Sequence, residues 1–357
     1  MRIALVTETF FPTTDGVTTT IKAVADRMID LGHEVGFVAP GPGLALYRRS
    51  RVARVSPIAK TGRQVRAALD EFGPDAVIAV DPRRLGRKAL AHARAWGLPT
   101  LVVQQSTVDP KDAMLWPGKV AEHADDIVVT SRWLQSHLAD IGVEADVWIP
   151  GVDAAAFSPA LRDPWLHGHW SRAKSHETPL VVVGYAGRLA KPHGVRRLAE
   201  LSPVPGIRLV VAGDGPQRGW LEQRLVGAKL VGALGTGDLA VALASIDVLV
   251  HPGEQEGCAH VLREAAASGI PVVAPRAGAA PEIVRHLETG LLYDQGHERE
   301  LADAVASVAA DPRRCLLGQR ARELASERPW PTAADELIGR LRQPARAGGS
   351  AAGVRAL

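Results

Sequence analysis

Two apolar patterns alternate along the chain. Short continuous apolar runs, which mark strands buried on both faces, give way to stretches of helical period, with glycine or proline at many of the junctions. In the first half, Ile3–Thr7 reads as a strand, Phe10–Gly16 as a loop and Val17–Leu31 as an amphipathic helix stopped by Gly32, after which the strand Glu34–Ala39 ends at Pro40. Further strands read at Ala76–Val80, Thr100–Val103, Ile127–Thr130 and Ala145–Ile149. A second series runs through Leu180–Tyr185, Arg208–Ala212, Lys229–Val231, Val248–His251 and Pro271–Ala274. This alternation predicts an α/β protein with two Rossmann-like, doubly wound parallel-sheet domains facing each other across a cleft, where the carboxyl ends of the strands bind ligands.

The expected organisation is an N-terminal Rossmann-like domain over 1–157, a linker over 158–178 and a C-terminal Rossmann-like domain over 179–328. A C-terminal helix over 329–345, whose apolar period is clearest at Ala333–Leu341, can return to the first domain, and 346–357 reads as a disordered tail. The linker reading rests on Pro159, Pro164, Gly168 and Pro179, with neither helical nor strand period between them.

Composition removes several function classes. With 357 residues, 46% apolar and 23% charged, the chain is an ordinary globular protein, too long for one core. No apolar stretch reaches membrane-span length and the start is interrupted at Glu8, so a cytoplasmic location is expected. Cys258 and Cys315 cannot build a disulfide framework or a zinc site alone, and His167, His169 and His176 fall in the linker, where solvated loop residues are expected. The net charge of +3 conceals a gradient: 48–94 carries twelve Arg/Lys against four Asp/Glu, and 95–157 carries three against nine. A basic face for an anionic lipid or phosphorylated substrate is one reading, and a solvated surface in an arginine-rich chain is the other. No nucleic-acid partner is expected.

Gly213-Asp214-Gly215 starts like a dinucleotide fingerprint, but Arg218 stands where the third glycine would fall. No Asp-x-Asp pair is present to hold a metal-bound diphosphate, so no metal and no cofactor are expected. The informative stretch is Ile246–Ala274, IDVLVHPGEQEGCAHVLREAAASGIPVVA: a strand, a loop Pro252–Ala259, a helix His260–Ser268, and Gly269 as its stop. The helix start offers unpaired N–H groups and partial positive charge to a phosphate, which Gly257, Cys258 and Ala259 are small enough to admit. The carboxylates Glu256 and Glu264, eight residues apart, suit a ligand that also presents hydroxyls. A sugar nucleotide has both.

That segment, with GYAGRLAKPHGV (Gly184–Val195), GDGPQRGWLE (Gly213–Glu222) and WIPGVDAAAFSP (Trp148–Pro159), resembles the retaining nucleotide-sugar glycosyltransferases of family 4, which have the GT-B fold. TETFFPTTDGV near the N-terminus, DPRRLGRKALAHARAWGLPT and WPTAADELIGRL are most similar to bacterial GDP-mannose-dependent α-mannosyltransferases. The resemblance implies a hexosyltransferase that moves mannose from GDP-mannose to a hydroxyl acceptor such as a glycolipid, with peripheral membrane contact through 48–94. It implies that Arg188 clamps the diphosphate, that Glu256 and the backbone of Gly257–Ala259 hold donor sugar and phosphates, and that Glu264 binds the ribose. Val231 and Gly232 would meet the base, and Gly16 would meet the donor from the other domain. Where the family usually has lysine this chain has His193, with Lys191 two residues earlier. Gln104, Gln105, Ser106 and Thr107 stand where the family often has a His or Asp, and 47–65 and 109–119 look trimmed. Two competing readings are a catalytically degenerate nucleotide-sugar-binding protein and a GT-B epimerase or hydrolase.

Overall fold

The computed structural model describes residues 1–56, 58–172, 178–294, 296 and 299–341. The expected tail lies outside the described residues. The described residues form two compact units: Met1–Val129 with Gln135–Trp148 and the residues from Ala334 to Leu341, and Thr130–Leu134 with those of Ile149–Ala333.

In the first unit the strands are β1 (Arg2–Thr7), β2 (Glu34–Pro40), β3 (Leu46–Tyr47), β4 (Ser50–Val55), β5 (Ala76–Val80), β6 (Thr100–Gln104), β7 (Asp126–Val129) and β8 (Asp146–Val147). They order as β3-β4-β2-β1-β5-β6-β7-β8, parallel except for the β3–β4 hairpin. Continuous apolar runs such as Ala76–Val80 are buried at every position because helices cover both faces. The helix Trp330–Arg340 closes this unit: Asp335 receives a bidentate pair from Arg27, and Arg340 donates to Asp126 and Asp146 at 2.8 and 3.1 Å.

In the second unit β9 (Val181–Ala186), β10 (Ile207–Ala212), β11 (Lys229–Gly232), β12 (Val248–Val250), β13 (Val272–Pro275) and β14 (Gly290–Tyr293) form an all-parallel sheet ordered β11-β10-β9-β12-β13-β14. Each face of that sheet has its own core. Val182 and Ala186 point into one with Leu249, Leu262 and Ile270, and Val183 and Tyr185 into the other with Val250 and Leu301. A fully buried Val or Leu stabilises by roughly 1.5–3 kcal/mol, so this two-sided burial fixes the register of β9. Strand order reverses between β9 and β12, and in doubly wound sheets ligands collect beyond the strand ends at that switch point.

The linker reading is corrected in part. Pro164–Ser171 is a helix, started by Asp163, whose carboxylate accepts from Trp165 N and Leu166 N at 2.8 and 3.1 Å. Trp170 inserts into the core and His167 Nε2 lies 3.2 Å from Asp247. His167 and His169 are therefore fixed on a helix and are not free loop residues, while His176 lies outside the described residues. A two-turn helix with one buried tryptophan is too short to show a period. Among the described residues no three His, Cys, Asp or Glu cluster to hold a metal, and no helix is long and apolar enough to cross a membrane.

Candidate functional site

The switch point brings two polar segments together. After β9 the chain turns at Gly187, passes Arg188 and forms a short turn at Lys191–His193; after β12 it enters the loop Pro252–Ala259. The two meet where His193 Nδ1 lies 2.7 Å from Glu256 Oε1. Glu256 Oε2 also lies 3.5 Å from Nε2 of buried His251, the residue that ends β12's apolar run. Burial would push the Glu256 carboxyl up, but the His251 and His193 imidazoles outweigh it and hold it below the ordinary carboxylate value.

Glycines make this approach possible. Gly194 has φ +65°, and a Cβ there would run into the carbonyl oxygen of Pro252. A Cβ at Gly253 would stand 2.7 Å from Glu256 Oε1 and 3.0 Å from His251 Nε2. The loop is tied from behind by Ala279 N donating to Glu256 O at 2.8 Å, with Gly278 at φ +58° admitting that carbonyl. Gly194→Ala should cost about 1–3 kcal/mol of stability, because both φ and space oppose a side chain. Urea melts of the variant beside the wild type will measure that loss.

Arg188 and Lys191 are exposed, and neither side chain has an ion-pair partner among the described residues. The backbone beneath Arg188 is firm: Tyr185 Oη donates to Arg188 O at 3.1 Å, and Leu189 N to Asp214 O at 2.9 Å. The next turn, Gly213–Gly215, packs on this one, and Gly213 N donates to Gly232 O at 2.7 Å, which brings Val231 and Gly232 at the end of β11 into the same row of turns.

Gly257, Cys258 and Ala259 are buried and lead into the helix His260–Ala267. Ala259 takes the left-handed conformation, φ +47°, and no side chain caps the helix start. Arg263, buried one turn on, donates to Cys258 O at 2.7 Å, and Thr130 Oγ1 donates to Gly257 O at 2.8 Å. Glu264 lies partly buried on the same helix without a hydrogen-bond or charged partner among the described residues, and burial pushes its carboxyl up to about 7. Gly16 is in the other unit, the first residue of the helix Gly16–Asp30, directly after Asp15, whose carboxylate accepts from Thr18 N at 2.9 Å. In that unit Gln104 and Gln105 are buried; Gln105 Oε1 accepts from Thr20 Oγ1 at 2.9 Å, and Asp81 accepts from Gln105 N, Ser106 N and Ser106 Oγ.

Sequence reading did not single out His251, Gly194 or Gly253. His251 was signalled by its place as the first polar residue after an apolar strand at the carboxyl end of a sheet.

A sheet of order 3-2-1-4-5-6 with polar turns gathered over its switch point, in a chain that forms a second parallel-sheet unit, matches the GT-B fold of glycosyltransferases. Residues 14–156 match the model of Glycosyltransferase Family 4 and residues 181–311 that of Glycosyl transferases group 1, and the chain belongs to this family. It is 35% identical over 368 residues to a GDP-mannose-dependent alpha-mannosyltransferase of Mycolicibacterium smegmatis, covering 95% of this chain and 96% of that one. It is 28% identical over 382 residues to a GDP-mannose-dependent alpha-(1-6)-phosphatidylinositol dimannoside mannosyltransferase of Mycobacterium tuberculosis, covering 96% of each. Among solved structures it is similar to Anabaena Alr3699/HepE in complex with UDP-glucose, with TM-score 0.82, 19% identity and coverage of 96% and 99%.

Proposed function

We propose that this chain is a retaining hexosyltransferase that moves a mannosyl group from GDP-mannose to a hydroxyl of a glycoside or glycolipid, without a metal. The observation that carries this reading is the convergence at the β9/β12 switch point, where the turn carrying Arg188, Lys191 and His193 meets the loop carrying Glu256 beside an uncapped helix start. Breaking the glycosidic bond leaves negative charge on the departing diphosphate, and fixed cations and amides aimed at that charge are worth a few kcal/mol each. Arg188 and Lys191 supply unpaired charge, and Gly257–Ala259 supply backbone close to the phosphates. Glu264 accepts from ribose hydroxyls, and Val231 and Gly232 flank the base. Retention follows if acceptor attack and diphosphate departure share one face, with the leaving phosphate taking the acceptor proton. The mannosyl donor rests on the relatives, which include enzymes of that donor at 35% identity.

Thermal shift with GDP, UDP and ADP and their sugars tests the donor. GDP-mannose at 100 times its Kd should stabilise by about 2.7 kcal/mol, and transfer to a glycoside should follow. Selective stabilisation by a uridine sugar overturns the mannosyl assignment. Sugar product without acceptor identifies an epimerase or hydrolase, and binding without turnover identifies a degenerate binder.

Peripheral membrane contact rests on a smaller basic area than residues 48–94 suggest. Arg48 pairs with Asp26 and Asp30, Arg51 with Glu71, Arg66 with Asp70, Arg87 with Asp112 and Arg94 with Asp125. Arg54 donates to three backbone carbonyls. What remains includes exposed Lys60, Arg63 and Lys88, the last with its stem against Gly62, together with Ile58, which is 95% exposed. Flotation with anionic vesicles at low salt should recover the protein, and charge reversal at Lys60, Arg63 and Lys88 should abolish recovery; failure of the wild type to float removes the membrane reading.

A further inference from the structure

Glu256 is engaged on both oxygens before any ligand is considered. Oε1 takes the short contact to His193 Nδ1 and Oε2 faces His251, whose Nε2 is buried without a hydrogen bond of its own. An ionised carboxylate only accepts, so the 2.7 Å contact places a proton on His193 Nδ1. His193 Nε2, on a partly exposed ring, has no partner among the described residues. The backbone is shaped around this pair: Gly194 seats the turn on Pro252, and Gly253 clears the space in which the carboxylate and the two imidazoles meet. A carboxylate reserved for sugar hydroxyls has no need of two imidazoles around it or of a turn that only glycine can make at Gly194.

Resting on the donor-site reading above, we propose that Glu256 is a positioning residue for His193: it holds the ring through Nδ1 so that Nε2 is presented to the donor diphosphate, and it acts on transfer through that ring. In the neutral ring this hydrogen bond leaves Nε2 an acceptor, which a phosphate repels. The ring therefore serves a diphosphate as the imidazolium, donating to the carboxylate from one nitrogen and to the phosphate from the other. A histidine so held supplies a fixed cationic donor on a short side chain. The charged and titratable groups around it are Glu256 in its loop, His251 after β12, Tyr185 on β9, Arg188 and Lys191 in its own turn, and the Arg197–Glu254 pair, 2.8 Å apart.

The test is a double-mutant cycle on kcat/KM for GDP-mannose with H193A, E256Q and the double variant, in proteins of matched thermal midpoint. Each single change should lower kcat/KM about 100-fold and the double hardly more than either, because Glu256 has nothing to position once the ring is gone. H193K should restore most of the activity and shrink the E256Q loss to a few-fold. Nitrogen-15 spectra should show the His193 Nδ1 proton in the wild type and lose that signature in E256Q. Losses that multiply, or an E256Q penalty undiminished beside H193A or H193K, overturn the positioning role while leaving the donor site intact. Absence of any GDP-mannose binding by the wild type overturns both.

Discussion

Arg188→Ala should lower the rate of mannosyl transfer by about 100- to 1000-fold, the range seen when one preorganised group that stabilises transition-state charge is removed. Stability should stay within about 0.5 kcal/mol of wild type, as for surface substitutions that break no contact. The two expectations separate because of how the turn is built. The Arg188 side chain is exposed and meets no carboxylate among the described residues, whereas its carbonyl is fixed by Tyr185 Oη and the neighbouring amide of Leu189 is fixed by Asp214. The guanidinium thus contributes little to the fold and is free to fork onto a diphosphate. Arg188→Lys should recover only part of the rate, since an ammonium offers a point charge in place of a planar pair of donors. Steady-state rates with saturating GDP-mannose, alongside thermal melts, decide the matter; a rate within threefold of wild type would remove Arg188 from the reaction.

Glu264→Gln should change stability and donor affinity in opposite directions. Burial lifts this carboxyl from its ordinary 4.5 to about 7. The folded chain therefore keeps a proton that the unfolded chain has shed, and stability falls as pH rises between those two values. Above about pH 7 the penalty is complete, on the order of 3 kcal/mol for a shift of this size, and below about pH 4.5 it vanishes. The glutamine variant should therefore melt higher than wild type at pH 8 and level with it near pH 4. It should also bind GDP-mannose about 10- to 100-fold more weakly, the loss of one or two hydrogen bonds to a charged acceptor. Ribose hydroxyls favour the ionised carboxylate, so donor binding to the wild type should release protons near pH 7. Calorimetry in buffers of different ionisation heat measures that release. Equal melting at pH 8 together with unchanged affinity would place Glu264 outside the donor site.

Much of this was legible in the chain, for definite reasons. Strands buried on both faces announce themselves, and Ala76–Val80 has the bounds its apolar run predicts. The β3–β4 hairpin does not. Its two-residue turn is closed by Arg48 and Arg49 at φ +44° and +70°, residues that do not advertise a left-handed conformation as Asn-Gly would. The strand Gly290–Tyr293 went unread because its short edge segment follows no helix of clear period. In the site, Glu256 and Glu264 emerge from spacing within one strand, loop and helix. The partners of Glu256 do not emerge so directly: His193 lies 63 residues away in sequence, and only the pairing of β9 with β12 brings it near. Gly194 and Gly253 look like ordinary loop glycines until the atoms that face them are known.

The helix Trp330–Arg340 has a further consequence for how the molecule is made. Leu337 and Ile338 are buried in the first unit, and Arg27, Asp126 and Asp146 each pair with a side chain of this helix. A ribosome delivering this polypeptide cannot finish the first lobe until the second has been made and this helix has followed it. That lobe must wait, with an apolar seat open, while the second is synthesised and folds. A gene cut after residue 157 would release it in that unfinished condition, so excising the amino-terminal half yields an aggregation-prone fragment unless the last helix is grafted back.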